Sequence, residues 1–437
     1  MNKYKIDGGT PIVGNIQCLG AKNFATKAMV AALLTEEPTQ LTNFPDIGDV
    51  HITGQMLESI GVKLIYDTEN TALHINPKDI STYQVSMPQS GSNRIPILMI
   101  GALLNRFGAA EVPLLAGCNI GNRKIDFHIQ ALELFGAEIS ESETSFIAKC
   151  KGRLKGCHIT LPYPSVGATE TCLFLSVKAE GTTVIHNSAI EPEIQELITM
   201  LRSMGAIIFT TPERKIIVQG VPTLTGTRME ILGDRIDAAS WAVLACASDG
   251  DIAVKGIRPD TLNNFLSYYQ QVGGGIEFLK PDVIRFFRRN PLTPAVIETD
   301  VYPGFSTDWQ QPFAILLTQA KGVSVIHETV YEKRFGYLKA LDKLGAETQL
   351  TTSCLGNTFC RYKDHNYEHS AIIKGVTPLI SNNETIDVPD LRAGLAYVIA
   401  AAIAKGTTYI NGIQNIERGY GDLIQRCSDM SLNIKKI

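Results

Sequence analysis

The chain has 437 residues, 44% of them hydrophobic and 19% charged, with nine cysteines and a formal net charge of −4. This composition is typical of a globular protein with more than one hydrophobic core, and the weakly acidic charge disfavours a protein that coats nucleic acid. The most apolar stretch, 395–404, is too short to cross a membrane, and the start has no secretory signal. Scattered cysteines without C-x-x-C pairs or metal-ligand spacing predict reduced thiols in the cytoplasm and no metal.

A pattern of about 70 residues recurs six times along the chain, and such repetition predicts a repeated supersecondary unit. Each copy reads as an apolar helix, a strand, a second helix and a Gly that precedes another strand. The first helices begin near Lys22–Asn23, Arg94, Ser165–Gly167, Arg235, Asp308 and Arg392, and the strands that follow them are TQLTNF, AEVPLL, TTVIHN, DIAVKG, VSVIHE and TTYING. The second helices stop at Gly61, Gly136, Gly205, Gly273 and Gly345, and a degraded sixth copy has Ser431 there.

Six mixed α and β units favour two lobes of three units each, with a cleft between them. We predict one lobe at 21–231 and a second lobe at 1–20 plus 232–437, with the N-terminal strand pairing in the second lobe. Residues 351–383 are longer than the matching stretches elsewhere. We interpret them as an insertion that forms an extended surface hairpin.

The charged residues of the repeats cluster near predicted helix starts, where unpaired N–H groups and a partial positive charge favour anions. This placement predicts a substrate with phosphate and carboxylate groups, although residues at helix starts also serve simply as caps. Arginine opposes the helix dipole at that end, so Arg94, Arg235 and Arg392 indicate function rather than capping.

Two further segments carry residues suited to acid–base chemistry. Cys118 lies between glycines in LLAGCNIGNRKID, and the nearby Arg123 and Lys124 would lower its pKa and favour a reactive thiolate over a buried small hydrophobe. Asp308 in GFSTDWQQPF is either a helix cap or a base for a substrate hydroxyl.

Arg418 in IERGYGD precedes a predicted helix and offers bidentate hydrogen bonds to carboxylate or phosphate.

Seven motifs in order along the chain resemble one family. They are GAKN (20–23), AGCNIGNRKIDFH (116–128), PSVGAT (164–169), STDWQ (306–310), ETVYEKRF (328–335), PDLRA (389–393) and ERGYG (417–421). They resemble the UDP-N-acetylglucosamine 1-carboxyvinyltransferase (enolpyruvyl transferase) family. The resemblance implies a two-lobed inside-out α/β barrel of six repeated units. It also implies transfer of the enolpyruvyl group of phosphoenolpyruvate to the 3-hydroxyl of UDP-N-acetylglucosamine, with release of phosphate, as the first committed step of peptidoglycan synthesis.

The resemblance also implies roles for single residues. Cys118 would donate a proton to the methylene carbon and be the target of fosfomycin, and Asp308 would take the proton of the hydroxyl, with Lys22 and Arg418 completing the catalytic set. The residues expected to bind phosphoenolpyruvate are Lys22, Asn23, Arg94, Arg123, Arg392 and Arg418. Those expected to bind the UDP-sugar are Asn23, Arg94, Arg123, Lys124, Ile125, Asp126, Phe127, Ser165, Val166, Gly167, Asp308 and Val330. Small-molecule substrates are then the partners, without nucleic acid, membrane, metal or cofactor.

The chain departs from the family pattern at Tyr163–Pro164, which replaces a usual Lys, and in the insertion near 351–383. Lys124, in place of a usual Pro, would compensate for the missing cation. A transferase that acts on another uridine nucleotide or on shikimate 3-phosphate is therefore an alternative, although the shikimate enzyme lacks the loop Cys. A catalytically idle paralogue that binds a nucleotide and regulates a partner is a second alternative, which the intact Cys118, Asp308 and Arg418 disfavour. A relative of RNA 3′-phosphate cyclases would need a His nucleophile with its own signature, and the sequence offers none.

Overall fold

The computed structural model describes residues 2–114, 125–389 and 394–437. Its helices are α1 (Lys22–Ala31), α2 (Gly48–Ser59), α3 (Pro96–Phe107), α4 (Asp126–Leu134), α5 (Val166–Ser176), α6 (Pro192–Ser203), α7 (Arg235–Ala247), α8 (Asn263–Gln271), α9 (Gln310–Thr318), α10 (Leu338–Lys343), α11 (Gly394–Ile403), α12 (Ile413–Glu417) and α13 (Leu423–Arg426). Its strands are β1 (Tyr4–Gly8), β2 (Val13–Gln17), β3 (Thr39–Thr42), β4 (Lys63–Asp67), β5 (Ala72–Asn76), β6 (Ala109–Pro113), β7 (Ala137–Glu141), β8 (Ser145–Cys150), β9 (His158–Thr160), β10 (Thr182–His186), β11 (Ile207–Thr211), β12 (Lys215–Gln219), β13 (Arg228–Glu230), β14 (Asp251–Lys255), β15 (Gly274–Lys280), β16 (Val283–Arg288), β17 (Val296–Glu298), β18 (Gly322–His327), β19 (Glu347–Thr351), β20 (Ser370–Gly375), β21 (Ile380–Asp387), β22 (Lys405–Asn411) and β23 (Asn433–Lys436).

These elements form two compact units. The Lys22 unit contains the described residues from 20 to 232, and the Asp308 unit contains the described residues from 2 to 19 and from 233 to 437. Among all described residues, no helix is long and apolar enough to cross a bilayer.

Each unit contains three small sheets. The Lys22 unit has the orders β13-β3-β5-β4, β6-β8-β7 and β9-β10-β12-β11, and the Asp308 unit has β2-β14-β16-β15, β17-β18-β20-β19 and β21-β22-β1-β23. In the four-stranded sheets one edge strand pairs in parallel with its neighbour, as β9 does with β10 and β17 with β18. In the three-stranded sheet, Tyr83 and Val85 take that place by bonding to the backbone of Glu111. The six sheets are therefore six copies of one arrangement.

The glycines that end the second helices have a conformational role. Gly61, Gly136, Gly205, Gly273 and Gly345 adopt positive φ angles of 103°, 91°, 102°, 111° and 96°. An added Cβ at Gly136 or Gly205 would meet no atom of the described residues within 4 Å, so the backbone angle and not space requires glycine there. In the sixth copy, β23 pairs with β1 from the start of the chain and not with the strand that precedes it.

Within each unit the first helix of each repeat is buried and the sheets lie outside. Every residue of α7 and α9 is buried, as are Gly394–Ala402 of α11. In the Lys22 unit, α3 and α5 pack so closely that a Cβ on Gly101 would lie 3.0 Å from the Cβ of Phe174. A helix that is surrounded on all sides buries apolar residues around its whole circumference, and this explains the mainly apolar first helices.

The segment 351–383 differs from the predicted extended hairpin. The strands β19 and β20 pair over a normal length, from Glu347 with Lys374 to Thr351 with Ser370. The extra residues, 352–369, contain no strand, and β21 belongs to the next sheet. The sequence pattern was misleading because this segment is mostly polar, with an aromatic residue every few positions. Such a composition is compatible with either a hairpin or an irregular loop.

A buried ion pair connects the start, middle and end of the Asp308 unit. Arg426 of α13 donates to Asp237 of α7 at 2.6 Å, and both side chains are at most 10% exposed. The other ends of this network are Trp241, whose Nε1 donates to Asp237 at 3.0 Å, and the backbone N–H of Leu19, which donates to the same carboxylate at 3.2 Å. Removing Arg426 would leave a buried carboxylate without its counter-charge.

We therefore expect Arg426→Met to lower the free energy of unfolding by about 3–5 kcal/mol. Urea denaturation followed by tryptophan fluorescence measures it, because both tryptophans, Trp241 and Trp309, lie in this unit. The control is Lys374→Met, which breaks an ion pair with Glu347 whose side chains are more than 60% exposed and should cost less than about 1 kcal/mol. Equal effects of the two substitutions would contradict the prediction.

Candidate functional site

Lys22 and Asn23 begin α1, in the turn that the GAKN motif forms. Gly20 is required there, because a Cβ would lie 2.0 Å from the carbonyl oxygen of Asn43. Ala21 donates its N–H to Leu232 at 2.8 Å and precedes the helix without a side-chain cap. The start of α1 is thus fixed between two strand ends, with Lys22 and Asn23 half-buried and the helix N–H groups beside them.

Arg94 lies two residues before α3, as the repeat pattern predicted. Its neighbour Asn93 is buried, donates to the side chain of Thr53 at 3.2 Å and accepts from the N–H of Ile95 at 3.0 Å. These contacts join the start of α3 to α2. Asn93 therefore positions Arg94, which is half-buried.

The structure brings two predicted groups together in the Lys22 unit, Ile125–Phe127 at the start of α4 and Ser165–Gly167 at the start of α5. His128 joins them: its Nδ1 lies 2.7 Å from Thr171 Oγ1, and a Cβ on Gly167 would lie 3.1 Å from its ring. Ser165 caps α5 by accepting from the N–H of Ala168 at 3.3 Å. His128 ends the motif AGCNIGNRKIDFH, and its place in the sequence alone did not predict this role.

Asp308 lies in a short 3₁₀ helix, Thr307–Trp309, that continues into α9. Ser306 caps this turn by accepting from the N–H of Asp308 at 3.3 Å. The next side chain, Trp309, is buried, with ring centroids 5.5 Å from both Phe265 and Phe305. Asp308 is therefore a half-buried carboxylate on a turn that is anchored in the aromatic core.

Arg334 is the principal site residue that was not predicted from the sequence. Its Nη2 donates to Asp308 Oδ1 at 2.6 Å and to the carbonyl of Thr307 at 3.0 Å, and the Arg334 side chain is 1% exposed. A charge-assisted contact in such surroundings fixes the carboxylate much more firmly than a surface ion pair would. Arg334 occurs in the motif ETVYEKRF, one of the seven that carry the family resemblance.

Glu328 connects Asp308 to Val330. The fully buried Glu328 carboxylate accepts from Thr307 Oγ1 at 2.8 Å and from the N–H groups of Val330 and Tyr331 at 2.7 and 3.0 Å. Burial raises the pKa of Glu328, while the Arg334 cation opposes that rise. One buried carboxylate thus joins the two turns that carry the predicted sugar-binding residues Asp308 and Val330.

Of the two remaining described arginines, Arg235 lies at a helix start, as predicted, and Arg418 lies between two short helices. Arg235 is the first residue of α7, but Asp234 caps that helix by accepting from the N–H of Ile236 at 2.8 Å. The Asp234 carboxylate therefore offsets the repulsion between the Arg235 cation and the positive end of the helix dipole. The Arg235 guanidinium lies 5.2 Å from the ring of Trp309, the neighbour of Asp308. Arg418 immediately follows α12 and lies five residues before α13, so it is at the C-terminal end of a helix, where a cation is favoured.

Four predicted site residues, Cys118, Arg123, Lys124 and Arg392, lie outside the described residues. The roles predicted for them stay predictions.

A separate group of side chains in the Asp308 unit has the donor atoms of a metal site. Ligand atoms of His327, Cys354, Cys360 and His369 all lie within 4.8 Å of one another. The spacing along the chain did not reveal this group, because β18 supplies His327 and the link between β19 and β20 supplies Cys354 and Cys360.

Comparison with known proteins gives consistent results. The sequence profile of EPSP synthase (3-phosphoshikimate 1-carboxyvinyltransferase) matches residues 6–427. The chain is 45% identical to the UDP-N-acetylglucosamine 1-carboxyvinyltransferase of Protochlamydia amoebophila strain UWE25, over 100% of this chain and 95% of the relative. It is 43% identical to the protein of that name from Chlamydia pneumoniae, over 97% and 92%.

Solved structures resemble the fold over the whole chain. The enolpyruvyl transferase NikO from Streptomyces tendae has a TM-score of 0.86 at 20% identity, with 100% of this chain and 98% of NikO covered. An EPSP synthase from Acinetobacter baumannii has a TM-score of 0.71 at 18% identity, with 100% of both chains covered. The predicted fold of six repeated α/β units is confirmed.

Proposed function

We propose that this chain, which belongs to the EPSP synthase family and within it to the UDP-N-acetylglucosamine 1-carboxyvinyltransferases, transfers an enolpyruvyl group from phosphoenolpyruvate to UDP-N-acetylglucosamine. The observation that carries the proposal is 45% identity over the full length with a relative of that name. The product would be the 3-O-enolpyruvyl ether, and phosphate would leave. The reaction would be the first committed step of peptidoglycan synthesis, in the cytoplasm.

The residues of the Lys22 unit are suited to binding anions. Lys22 supplies a cation at the start of α1, and Arg94 supplies a second before α3, beside helix N–H groups that favour phosphate and carboxylate. Asn23 offers hydrogen bonds to the sugar. The starts of α4 and α5, joined by His128, supply Ile125–Phe127 and Ser165–Gly167 for the uridine diphosphate.

The residues of the Asp308 unit are suited to removing a proton. The Asp308 carboxylate would take the proton of the sugar 3-hydroxyl as the C–O bond forms to carbon 2 of phosphoenolpyruvate. Arg334 holds one oxygen of that carboxylate at 2.6 Å, and Glu328 fixes the turn that carries it. Val330, on the same turn as Glu328, would contact the nucleotide sugar.

The remaining steps are assigned to residues whose chemistry fits. Cys118 would protonate the methylene carbon, and loss of a proton from that carbon would then expel phosphate and restore the double bond. Arg123, Arg392 and Arg418 would balance the charge of the carboxylate and of the departing phosphate, with Lys124 near the diphosphate. An acid for carbon, a base for oxygen and fixed cations are what this addition and elimination require.

A phosphate-release assay across several acceptors tests the proposal. We expect release from phosphoenolpyruvate only when UDP-N-acetylglucosamine is added, and none with shikimate 3-phosphate or without an acceptor. Release only with another uridine nucleotide would favour a second candidate function, enolpyruvyl transfer to that nucleotide. Tyr163–Pro164 supports this candidate because the pair replaces the usual Lys. Nucleotide binding without release for any acceptor would favour the idle regulator.

A further inference from the structure

Four side chains with metal-binding atoms converge in the Asp308 unit. His327 ends β18, His369 immediately precedes β20, and Cys354 and Cys360 lie on the link 352–369. His327, Cys360 and His369 are buried, and Cys354 is half-buried. The Sγ atom of Cys354 lies 3.3 Å from Nε2 of His369. None of these four residues has a role in the proposed transfer.

Both imidazoles direct the same nitrogen into the group. Ser370 Oγ donates to the carbonyl of Ser353 at 2.7 Å, so it accepts from His327 Nδ1 at 2.8 Å. The carbonyl of Tyr367 likewise accepts from His369 Nδ1 at 2.7 Å. Each Nδ1 therefore carries the proton, and each Nε2 presents a lone pair, which is the form and orientation of a metal-binding histidine.

Hydrogen bonding alone does not satisfy this arrangement. One thiol can donate to His369 Nε2, but His327 Nε2 is buried and has no hydrogen-bond partner among the described residues. A buried polar atom in that state is costly and requires an explanation. A divalent cation would accept both nitrogen lone pairs, displace the two thiol protons and be neutralised by two thiolates, so that no net charge is buried.

We propose that His327, Cys354, Cys360 and His369 bind one zinc ion in a closed tetrahedral Cys₂His₂ site. Two thiolates and two imidazoles favour zinc over magnesium or calcium, which prefer oxygen ligands. A tetrahedral zinc site places its ligand atoms about 3.3–3.8 Å apart. The present separations of up to 4.8 Å therefore shorten by about an ångström when the ion binds.

The surrounding backbone is built for such a site. Gly356 lies against His327 and Glu298, where a Cβ would come within 2.5 Å of both side chains, so only glycine lets the link approach β18. The Glu298 carboxylate accepts from the N–H groups of Asn357 and Thr358 at 2.8 Å each. The N–H of Tyr362 points to Cys360 Sγ at 3.4 Å, as N–H groups do around metal-bound thiolates.

The site also connects to the candidate active site. Tyr362, two residues after Cys360, donates its hydroxyl to the carbonyl of Val330 at 2.8 Å, and Arg361 donates to the same oxygen. The ion would therefore hold the Val330 turn through the link 352–369. This consequence rests on the proposed function, whereas metal binding itself does not.

Metal content measured by plasma mass spectrometry tests the proposal. The chain is produced without a polyhistidine tag in zinc-supplemented medium and is then desalted. We expect about one zinc per chain in the wild type and in Cys150→Ser/Cys157→Ser, which removes two half-buried thiols of the Lys22 unit. We expect less than about a tenth of that in Cys354→Ser/Cys360→Ser. Equal zinc in the two double variants, or a zinc-free wild type, would overturn the site.

Cobalt substitution of the wild type provides a readout that does not depend on a variant folding. Co²⁺ bound at this site gives intense tetrahedral visible bands and a thiolate charge-transfer band in the near ultraviolet. Cys354→Ser/Cys360→Ser should lose the thiolate band, and His369→Ala should shift and weaken the visible bands. His365→Ala, on the same link but outside the group, should keep both. Weak octahedral bands in the wild type would contradict the proposed ligands. Neither measurement uses phosphate release, so failure of the zinc site and failure of the proposed transfer are distinguishable.

Discussion

Asp308→Asn lowers the turnover number for phosphate release by about 10²–10⁴-fold, which is the range for loss of a general base. The amide keeps the shape of the carboxylate and still has an oxygen that accepts from Arg334, so the turn should stay in place. It is too weakly basic to take the proton of the 3-hydroxyl. The effect therefore falls on the chemical step and not on the binding of substrates.

The measurement compares turnover with the dissociation constant of UDP-N-acetylglucosamine, obtained by calorimetry. We expect the dissociation constant to change by less than about threefold while turnover falls. Asp300→Asn is the matched control, because Asp300 is exposed in the same unit and accepts from the N–H of Val301. Its turnover should equal that of the wild type.

Two outcomes would contradict the assignment. Unchanged turnover in Asp308→Asn would remove Asp308 from the mechanism. Loss of binding in proportion to turnover would mean that Asp308 holds the sugar in the ground state and transition state alike. If Asp308 acted only through its ion pair with Arg334, its loss would change stability and leave both constants of the folded enzyme intact.

The repeats were predictable because their signals are local. Apolar helical spacing, a strand and a glycine stop each depend on neighbouring residues, and the five glycines do adopt the left-handed backbone that the pattern required. The parallel edge strands were not predicted. Strands such as β9 and β17 are only three residues long and pair with a partner more than twenty positions away.

The same distinction applies to the candidate site. Asp308 and Ser165 were visible as residues at helix starts, since a helix start is a local feature. Arg334 and Glu328 gain their roles through contacts 26 and 21 residues away in the sequence, with Asp308 and Thr307 respectively. In the sequence both residues are only charges in the motif ETVYEKRF. The tertiary structure pairs Arg334 with the candidate base and buries Glu328 between two turns.

The cysteine and histidine group illustrates the limit most clearly. His327 was correctly placed in a predicted strand, VSVIHE, and nothing in that strand indicates a ligand. The irregular link 352–369 brings Cys354 and Cys360 against it, and the sequence pattern was interpreted there as a hairpin. Spacing rules recognise metal sites whose ligands are close in sequence, and this group is assembled from separate segments.

Cys118→Asp retains phosphate release within about tenfold of the wild type but is no longer inactivated by fosfomycin. A carboxylic acid can still donate the proton that the methylene carbon needs. A carboxylate is a much poorer nucleophile than a thiolate toward an epoxide, so it is not alkylated in the same way. Cys118→Ser, whose hydroxyl is too weak an acid, should lose most of its turnover.

The described cysteines support the selectivity of that reaction. Burial raises the pKa of Cys18, Cys150, Cys157, Cys172, Cys246, Cys354 and Cys427 above the ordinary thiol value. For Cys157 the pKa rises to about 11, so its thiolate is scarce at neutral pH. Cys118 has Arg123 and Lys124 nearby in sequence, and cations lower a thiol pKa.

Incubation with fosfomycin, followed by residual phosphate release and peptide mass spectrometry, measures the effect. The wild type and Cys157→Ser should both lose activity and carry one adduct on the peptide that contains Cys118. Cys118→Asp should keep its activity and carry none. Inactivation of Cys118→Asp at the wild-type rate would show that another nucleophile reacts with the inhibitor. An active variant with no acid at position 118, such as Cys118→Ala, would show that the proton comes from elsewhere.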